Sequence, residues 1–520
     1  MKNLKNNQIF GLIILALVIG SCSSENQPDI PQTVVAKSQV ELIPSSEIDQ
    51  IIWKSLQETG DFIWGNQSDE LILSALIQSD SILTIGYQAS GKELTNARIG
   101  LETVQDPDMQ KAAGKIIGMI TEISAKGPAI NQRQIEESQI HEDLPYLEIK
   151  VYNLEALGNL RNMSEVRYFE PRGYEFDYSL ADNNQYARVT SDSGCENEPQ
   201  SISSEDFTII SPNAKSSWNY DQMGISQAWM QSTGAGITVG VIDTGLSPDQ
   251  PSLNAGFNSG GSNGRTIQKF GTYQTGYWWC KKYDGPNDQC GHGTAMAGVV
   301  ASPRNTVGNA VGVAYNANLI SVRGTSDVIF NSANERDGVA EALVLLGKRS
   351  DVKIISMSIG DLFSNSKVAD AIRYANNRGK LIFAAAGTST TFTNWVGVIF
   401  PATMSETVAV TGVKEGSGYQ RCDTCHSGSQ VEFTVVMERA GTNTKPLTTA
   451  LYSNVPSTVG GSSVATATAS GIAALVWAKN PSWSKDQVLA KMRSTSDLYP
   501  SKNGEYGYGN LDAAAAVLIN

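Results

Sequence analysis

The stretch Ile237-Thr238-Val239-Gly240-Val241-Ile242-Asp243-Thr244-Gly245 decides the fold. Its apolar, β-branched residues run to Ile242 as they do in a strand buried on both faces. The run ends on an acid followed by a turn glycine, which places the Asp243 carboxylate at the strand's carboxyl end. Apolar runs of the same kind recur at 319–322, 353–357 and 380–386, with helical patterns near 337–347 and 368–378 between the later ones. Such alternation predicts an α/β domain, a parallel sheet with helices on both faces, whose sites form beyond the carboxyl ends of the strands.

Upstream the rhythm differs. A strand is expected over 82–87, then a helix opened by Asp106-Pro107, where proline suits the first helical position. Met109, Ala113, Ile116, Ile120 and Ile123 recur at helical spacing and give that helix a core face. Leu147, Ile149 and Val151 alternate as in a half-buried strand; a short helix with Leu154, Leu157 and Leu160 and a strand near 166–169 complete a small α+β unit. This unit is assigned to residues 46–176. Residues 177–217, rich in Ser, Asn, Asp and Glu, read as a polar linker to a domain spanning 218–520.

The first residues read as an export signal over 1–21: Lys2 and Lys5, an apolar run over 9–19, then small Gly20 and Ser21. Ile19-Gly20-Ser21-Cys22 resembles the lipobox of bacterial lipoproteins, which implies lipidation of Cys22, a tether over 22–45 and an envelope location on a membrane. The other reading is ordinary signal cleavage beside a chance cysteine. The remaining cysteines are 195, 280, 290, 422 and 425, an odd number in an exported chain where disulfides are the default. Short loops favour pairing Cys280 with Cys290 and Cys422 with Cys425, leaving Cys195 spare. A metal reading of Cys422-x-x-Cys425-His426 would need a fourth ligand.

With 41% hydrophobic and 18% charged residues the composition is that of a globular protein. A net charge of −13 argues against nucleic acid as a partner.

Three segments carry chemistry. Asp243 follows its strand; His292 stands between Gly291 and Gly293, before the small residues 295–298; Ser463 follows Gly460-Gly461-Ser462 at the start of an Ala-rich helical run. Singly they read as a turn acid, a core histidine and an N-cap. Together they supply a nucleophile, a base and the carboxylate that orients the base, in the chain order Asp, His, Ser.

On these residues, the region 218–520 resembles the subtilisin-like serine peptidases. Val313-Ala314-Tyr315-Asn316-Ala317, Ser356-Met357-Ser358-Ile359-Gly360, Ala384-Ala385-Ala386-Gly387 and Gly507-Tyr508-Gly509 extend the likeness. The resemblance implies a serine endopeptidase acting on proteins or peptides, with Asp243, His292 and Ser463 catalytic and Ser358, Ile359, Gly360 and Gly387 lining the substrate pocket. Residues 147–171 resemble the last strand, helix and strand of the ferredoxin-like inhibitory propeptide that precedes such domains, which implies a zymogen whose own N-terminal unit is a partner.

Three departures stand out. Thr388 occupies the position of the family's asparagine oxyanion donor, and a shorter hydroxyl must do that work. Ala467 and Thr468 replace a proline and a histidine. Ser252 replaces an acidic calcium ligand; with Asn305 as the remaining candidate, neither a metal nor a cofactor is expected. Two alternatives stay open: a dedicated peptide-processing or cyclising protease, and a catalytically weak scaffold binding extended peptides along the edge 356–360.

Overall fold

The computed structural model describes residues 41–125, 138–177, 195, 197–276, 281–388, 397–416 and 418–518. The expected signal, Cys22 and Cys280 lie outside the described residues.

Helices α1 (Ser45–Thr59) and α2 (Asp69–Ile77) precede β1 (Ile82–Tyr87), α3 (Pro107–Ala125), β2 (Gln139–Ile140), β3 (Tyr146–Lys150), α4 (Leu154–Arg161) and β4 (Val166–Pro171). The strands form an antiparallel sheet in the order β2-β3-β1-β4, the β-α-β-β-α-β plan of a split βαβ unit. Local chemistry sets the helices. Pro107 opens α3, where its missing N–H goes unneeded. The Asn153 side chain caps α4 by accepting from Ala156 N at 2.9 Å. All of β1 is buried, because this sheet has a helix layer on one face and the second domain on the other.

Within the stretch expected to be linker up to 217, residues 197–217 are folded. It holds a hairpin of β5 (Phe207–Ile210) and β6 (Ala214–Ser217), which continues onto the body through Lys215 N donating to Asn309 O at 3.0 Å. Two strands this short, set among Ser and Asn, leave little periodicity to read.

The second domain is built on β7 (Thr238–Asp243), β8 (Ile267–Gly271), α5 (His292–Ala301), β9 (Asn318–Arg323), α6 (Ala333–Lys348), β10 (Val352–Met357), α7 (Ser366–Asn377), β11 (Leu381–Ala385), β12 (Val408–Lys414), β13 (Val431–Glu438) and α8 (Gly461–Lys479). Its seven strands run parallel in the order β13-β12-β11-β10-β7-β9-β8. The expected α/β class, a parallel sheet with helices on both faces, holds. Val239 and Val241 pack with Met296 of α5 and Ile472 of α8 on one face; Ile242 packs with Leu343 and Leu346 of α6 on the other. A Cβ on Gly240 would lie 2.5 Å from Leu346 Cδ1, so only glycine lets α6 come this close. The strand order reverses at β7, and ligand sites of open α/β sheets form at such points.

The N-terminal unit docks on α6 and α7 through paired charges. Arg167 grips Asp370 with two bonds of 2.6 and 3.0 Å, Arg172 meets Asp337 at 2.6 Å, and Lys367 joins Glu148 at 3.0 Å and also Asp337. Beside them Leu362 and Phe363 insert among Ile52, Phe62, Tyr174 and Phe176.

One expected pairing is corrected. Cys290 bonds to Cys195, with 4.6 Å between their Cα atoms, and not to Cys280; Cys195 is therefore not the spare thiol. The segment after Cys195 is docked, since Asn197 Nδ2 donates to Thr449 O at 2.8 Å and Leu451 N donates to Asn197 O at 2.7 Å, and this carries Cys195 to the loop before His292. Cys422 and Cys425 are bonded to each other, which takes both sulfurs away from the metal reading.

Candidate active site

Asp243 is the last residue of β7 and His292 the first of α5. His292 Nδ1 lies 2.8 Å from Asp243 Oδ1. A carboxylate only accepts, so Nδ1 carries the proton and Nε2 is left with its lone pair. Thr244 N donates to the same Oδ1 at 2.8 Å, while Oδ2 is buried without a hydrogen-bond partner. Both side chains are 1% exposed. Burial, the largest influence on His292, works against its charged form. The Asp243 charge and hydrogen bond, with the charges of Asp288 and Asp327, outweigh it and raise the His292 pKa above the ordinary imidazole value.

Asp288, overlooked in the sequence, organises this corner. Its Oδ1 accepts from Thr244 Oγ1, Cys290 N and Gly291 N at 2.9, 3.0 and 2.8 Å. Its Oδ2 accepts from Thr294 N and Oγ1 at 2.8 and 2.6 Å. One buried carboxylate thus caps α5 and ties it to the residue after Asp243. An acid four positions before His292, ahead of a helix start, was the available signal.

Ser463 lies in the first turn of α8, a 19-residue helix, and is 8% exposed. Its Oγ donates to Ser358 O at 3.3 Å, and Ser358 Oγ donates to Ser463 O at 2.8 Å. The nucleophile candidate is therefore seated on the extension of β10, its hydroxyl turned to that carbonyl and not hydrogen-bonded to His292. Such bonds often form only on substrate binding.

Ser358, Ile359, Gly360 and Gly387 come together on the two strand extensions beside Ser463. Gly360 is not open, however: Gly360 N donates to Val328 O at 3.0 Å and Gly360 O accepts from Phe330 N at 3.1 Å. The edge 356–360, expected to accept an extended peptide, is filled at Gly360 by the chain itself, because Ile329 pairs with Gly360 as a parallel bridge. Thr388 Oγ1 lies 3.1 Å from Ser462 Oγ, and its backbone bridges to Cys425. The His426 ring, weighed in the sequence as a metal ligand beside Cys422 and Cys425, packs against Gly387; burial pushes its pKa down to about 4, which keeps it neutral.

Asn305 and Ser252 are engaged inside the fold. Asn305 Oδ1 accepts from Asn309 N at 3.0 Å, and Ser252 Oγ accepts from Asn309 Nδ2 at 3.1 Å. Neither Ala467 nor Thr468 touches the site chemistry; both are buried in α8, and nothing in the structure explains the Thr468 hydroxyl, which has no partner.

The raised pKa gives a direct check. His292, followed by NMR, is expected to titrate above about 6.5, and Asp243→Asn is expected to lower that value because it removes the largest favourable charge. A value in Asp243→Asn equal to or above the wild type would contradict the pairing.

The description Subtilase family matches residues 234–509. Subtilisin of Bacillus sp. (strain TA39) is 26% identical over 304 residues, covering 56% of this chain and 68% of its own. Minor extracellular protease Epr of Bacillus subtilis (strain 168) is 28% identical over 316 residues, 59% of this chain and 43% of its own, so this chain spans less than half of that relative. Among solved structures, the MycP3 protease from the type VII (ESX-3) secretion system covers 60% of this chain and 92% of its own, at 24% identity and a TM-score of 0.45. The matched region contains the strand ending on Asp243, the helix opening on His292 and the helix start around Ser463: the chain belongs to the Subtilase family of serine peptidases.

Proposed function

We propose that this protein is an exported serine endopeptidase, made as a zymogen and held at a membrane by a lipid on Cys22, that hydrolyses protein or peptide substrates by acyl transfer. The catalytic part rests on one observation above all, the 2.8 Å bond between His292 Nδ1 and Asp243 Oδ1 at the switch point of the sheet. Ser463 Oγ turns from Ser358 O to His292 Nε2, gives up its proton there and attacks the substrate carbonyl carbon. Asp243 holds the imidazole in the required tautomer and stabilises the imidazolium. The Ser463 backbone N–H and the Thr388 hydroxyl hold the oxyanion. His292 then passes the proton to the leaving amine, and water, activated by the same nitrogen, releases the acyl group. Ser358, Ile359, Gly360 and Gly387 form the substrate pocket once the pairing at Gly360 opens.

Residues 46–176 act as the inhibitory propeptide, and a cut within 177–217 releases them. The support is the character of the docked surface. Much of it is ion pairs and hydrogen bonds made by side chains, as in contacts that part and re-form. The neighbouring part-buried bonds, from Asn377 Nδ2 to Ile99 O at 2.9 Å and from Arg378 Nε to Gly100 O at 3.0 Å, are of the same kind.

Ser463→Ala is expected to abolish hydrolysis of fluorescein-labelled casein while the protein stays folded by circular dichroism; hydrolysis at the wild-type rate would remove Ser463 from the mechanism. The N-terminal unit added in trans is expected to inhibit the processed enzyme. Arg167→Ala in that unit should raise the inhibition constant by at least about 10-fold, since it leaves buried Asp370 without its bidentate partner; equal inhibition by both forms would contradict the docking. Cys22→Ser should move the exported protein from the membrane to the soluble fraction, and unchanged fractionation would exclude the lipid anchor.

A further inference from the structure

We infer that Cys195 and Cys290 in their thiol form, together with Asp327, are a binding site for a borderline-soft divalent cation of the zinc type, on the loop that leads into His292.

The two sulfurs and a carboxylate oxygen of Asp327 all lie within 4.8 Å of one another, and Cys195 Sγ is 3.8 Å from Asp327 Oδ1. In the disulfide that sulfur has no proton to give, so the carboxylate is set against it with nothing to accept. The contact gains a purpose when the sulfur is a thiolate and a cation stands between the two. A tetrahedral zinc ion, with bonds of about 2.3 Å to sulfur and about 2.1 Å to oxygen, sets a sulfur and an oxygen roughly 3.6 Å apart and two sulfurs roughly 3.8 Å apart. The sulfur to oxygen separation is already close to this. The sulfurs part to the second distance once the bond between them is opened, from Cα atoms 4.6 Å apart.

Each donor is held in place by bonds other than the disulfide. The chain just after Cys195 is fixed by Asn197, which donates to Thr449 O at 2.8 Å and accepts from Leu451 N at 2.7 Å. Cys290 N donates to Asp288 Oδ1 at 3.0 Å. Asp327 is held by Thr325 Oγ1 donating to its O at 2.8 Å and by Val328 N donating to its Oδ1 at 2.6 Å, which leaves lone pairs on the carboxylate for an ion. Opening the disulfide thus leaves three donors facing one another, the preorganisation a metal site needs. Cys195 and Asp327 are half-buried, so water completes the fourth position.

A chain is made with thiols and gains its disulfides after export. Binding to the thiol form releases two thiol protons to solvent and makes two sulfur–metal bonds, with no change of oxidation state; oxidation to the disulfide expels the ion. Two thiolates, a carboxylate and a dication sum to one negative charge, as do the carboxylate and an intact disulfide. The ion therefore repeats the clamp on the loop before His292 and keeps the charge beside the triad the same.

The test titrates the full chain with Co2+, the coloured stand-in for zinc, before and after reduction by a phosphine, which opens the disulfide to two thiols and takes up oxygen from water as the phosphine oxide. The oxidised protein is expected to give no thiolate-to-cobalt charge-transfer band. The reduced protein should give one, with the visible bands of a tetrahedral ion, saturating at about one ion per chain. Zn2+ should raise the Tm of the reduced protein and leave that of the oxidised protein unchanged. Asp327→Asn, which keeps an acceptor for Val328 N and loses the charge, should weaken binding at least about 10-fold, and Cys195→Ser should do the same; circular dichroism reports that each is folded. The other pair, Cys422 and Cys425, is fully buried, and a folded variant carrying Cys422→Ser and Cys425→Ser should bind as the wild type does. No band in the reduced protein, or wild-type affinity in either Asp327→Asn or Cys195→Ser, would overturn the inference. Loss of the band in the folded Cys422→Ser, Cys425→Ser variant would place the ion elsewhere and overturn it as well; if that variant does not fold, the other two decide.

Discussion

The hydrogen bond between His292 and Asp243 joins the end of the central strand to the start of a helix on the sheet's face, and the surrounding structure is arranged to hold it. Two buried groups facing each other at 2.8 Å are costly to desolvate, and they persist because neighbours over-determine their positions. Asp288 links Thr244 to the first turn of the helix through five hydrogen bonds. Gly293 N donates to Thr244 Oγ1 at 2.8 Å, and the Cys195 and Cys290 disulfide fixes the loop just before His292. A histidine held this way has one tautomer and one nitrogen to offer.

The nucleophile side is built by a different means. Ser463 rides on a helix packed along the sheet, its residues buried from Gly461 to Trp477, so the position of its first turn is set by the core. The two strand extensions that meet it, at Ser358 and Gly387, are each bonded to that turn. In the conformation described, the serine hydroxyl rests on a backbone carbonyl, and Gly360 is paired within the chain.

Much of this was legible in the sequence because the chemistry stands at the ends of strong periodic signals. Asp243 closes an apolar strand, His292 opens a run of small residues, and Ser463 opens an Ala-rich helix, so each fell at a predictable boundary. What escaped depends on convergence in space. Asp288 reads as one more acid in a polar loop until Thr244 and the helix start are brought to it. The partner of Cys195 was misread because loop length favoured Cys280, whereas Asn197 docks the segment against Thr449 and carries Cys195 to Cys290. The hairpin at 207–217 was hidden by composition, and the closed edge at Gly360 required knowing that residues 328–330 return beside it. The hydrogen bond between Ser462 and Thr388 was out of reach for the same reason: 74 residues separate them.

The central claim is that Ser463 is the nucleophile of a charge-oriented triad. It is tested most directly by treating a casein-hydrolysing preparation of the wild-type protein with a fluorophosphonate and mapping the adduct by peptide mass spectrometry. The account predicts one phosphonyl group, on Ser463, formed in step with the loss of hydrolysis. An adduct on another residue, or full inhibition with Ser463 unmodified, would contradict it.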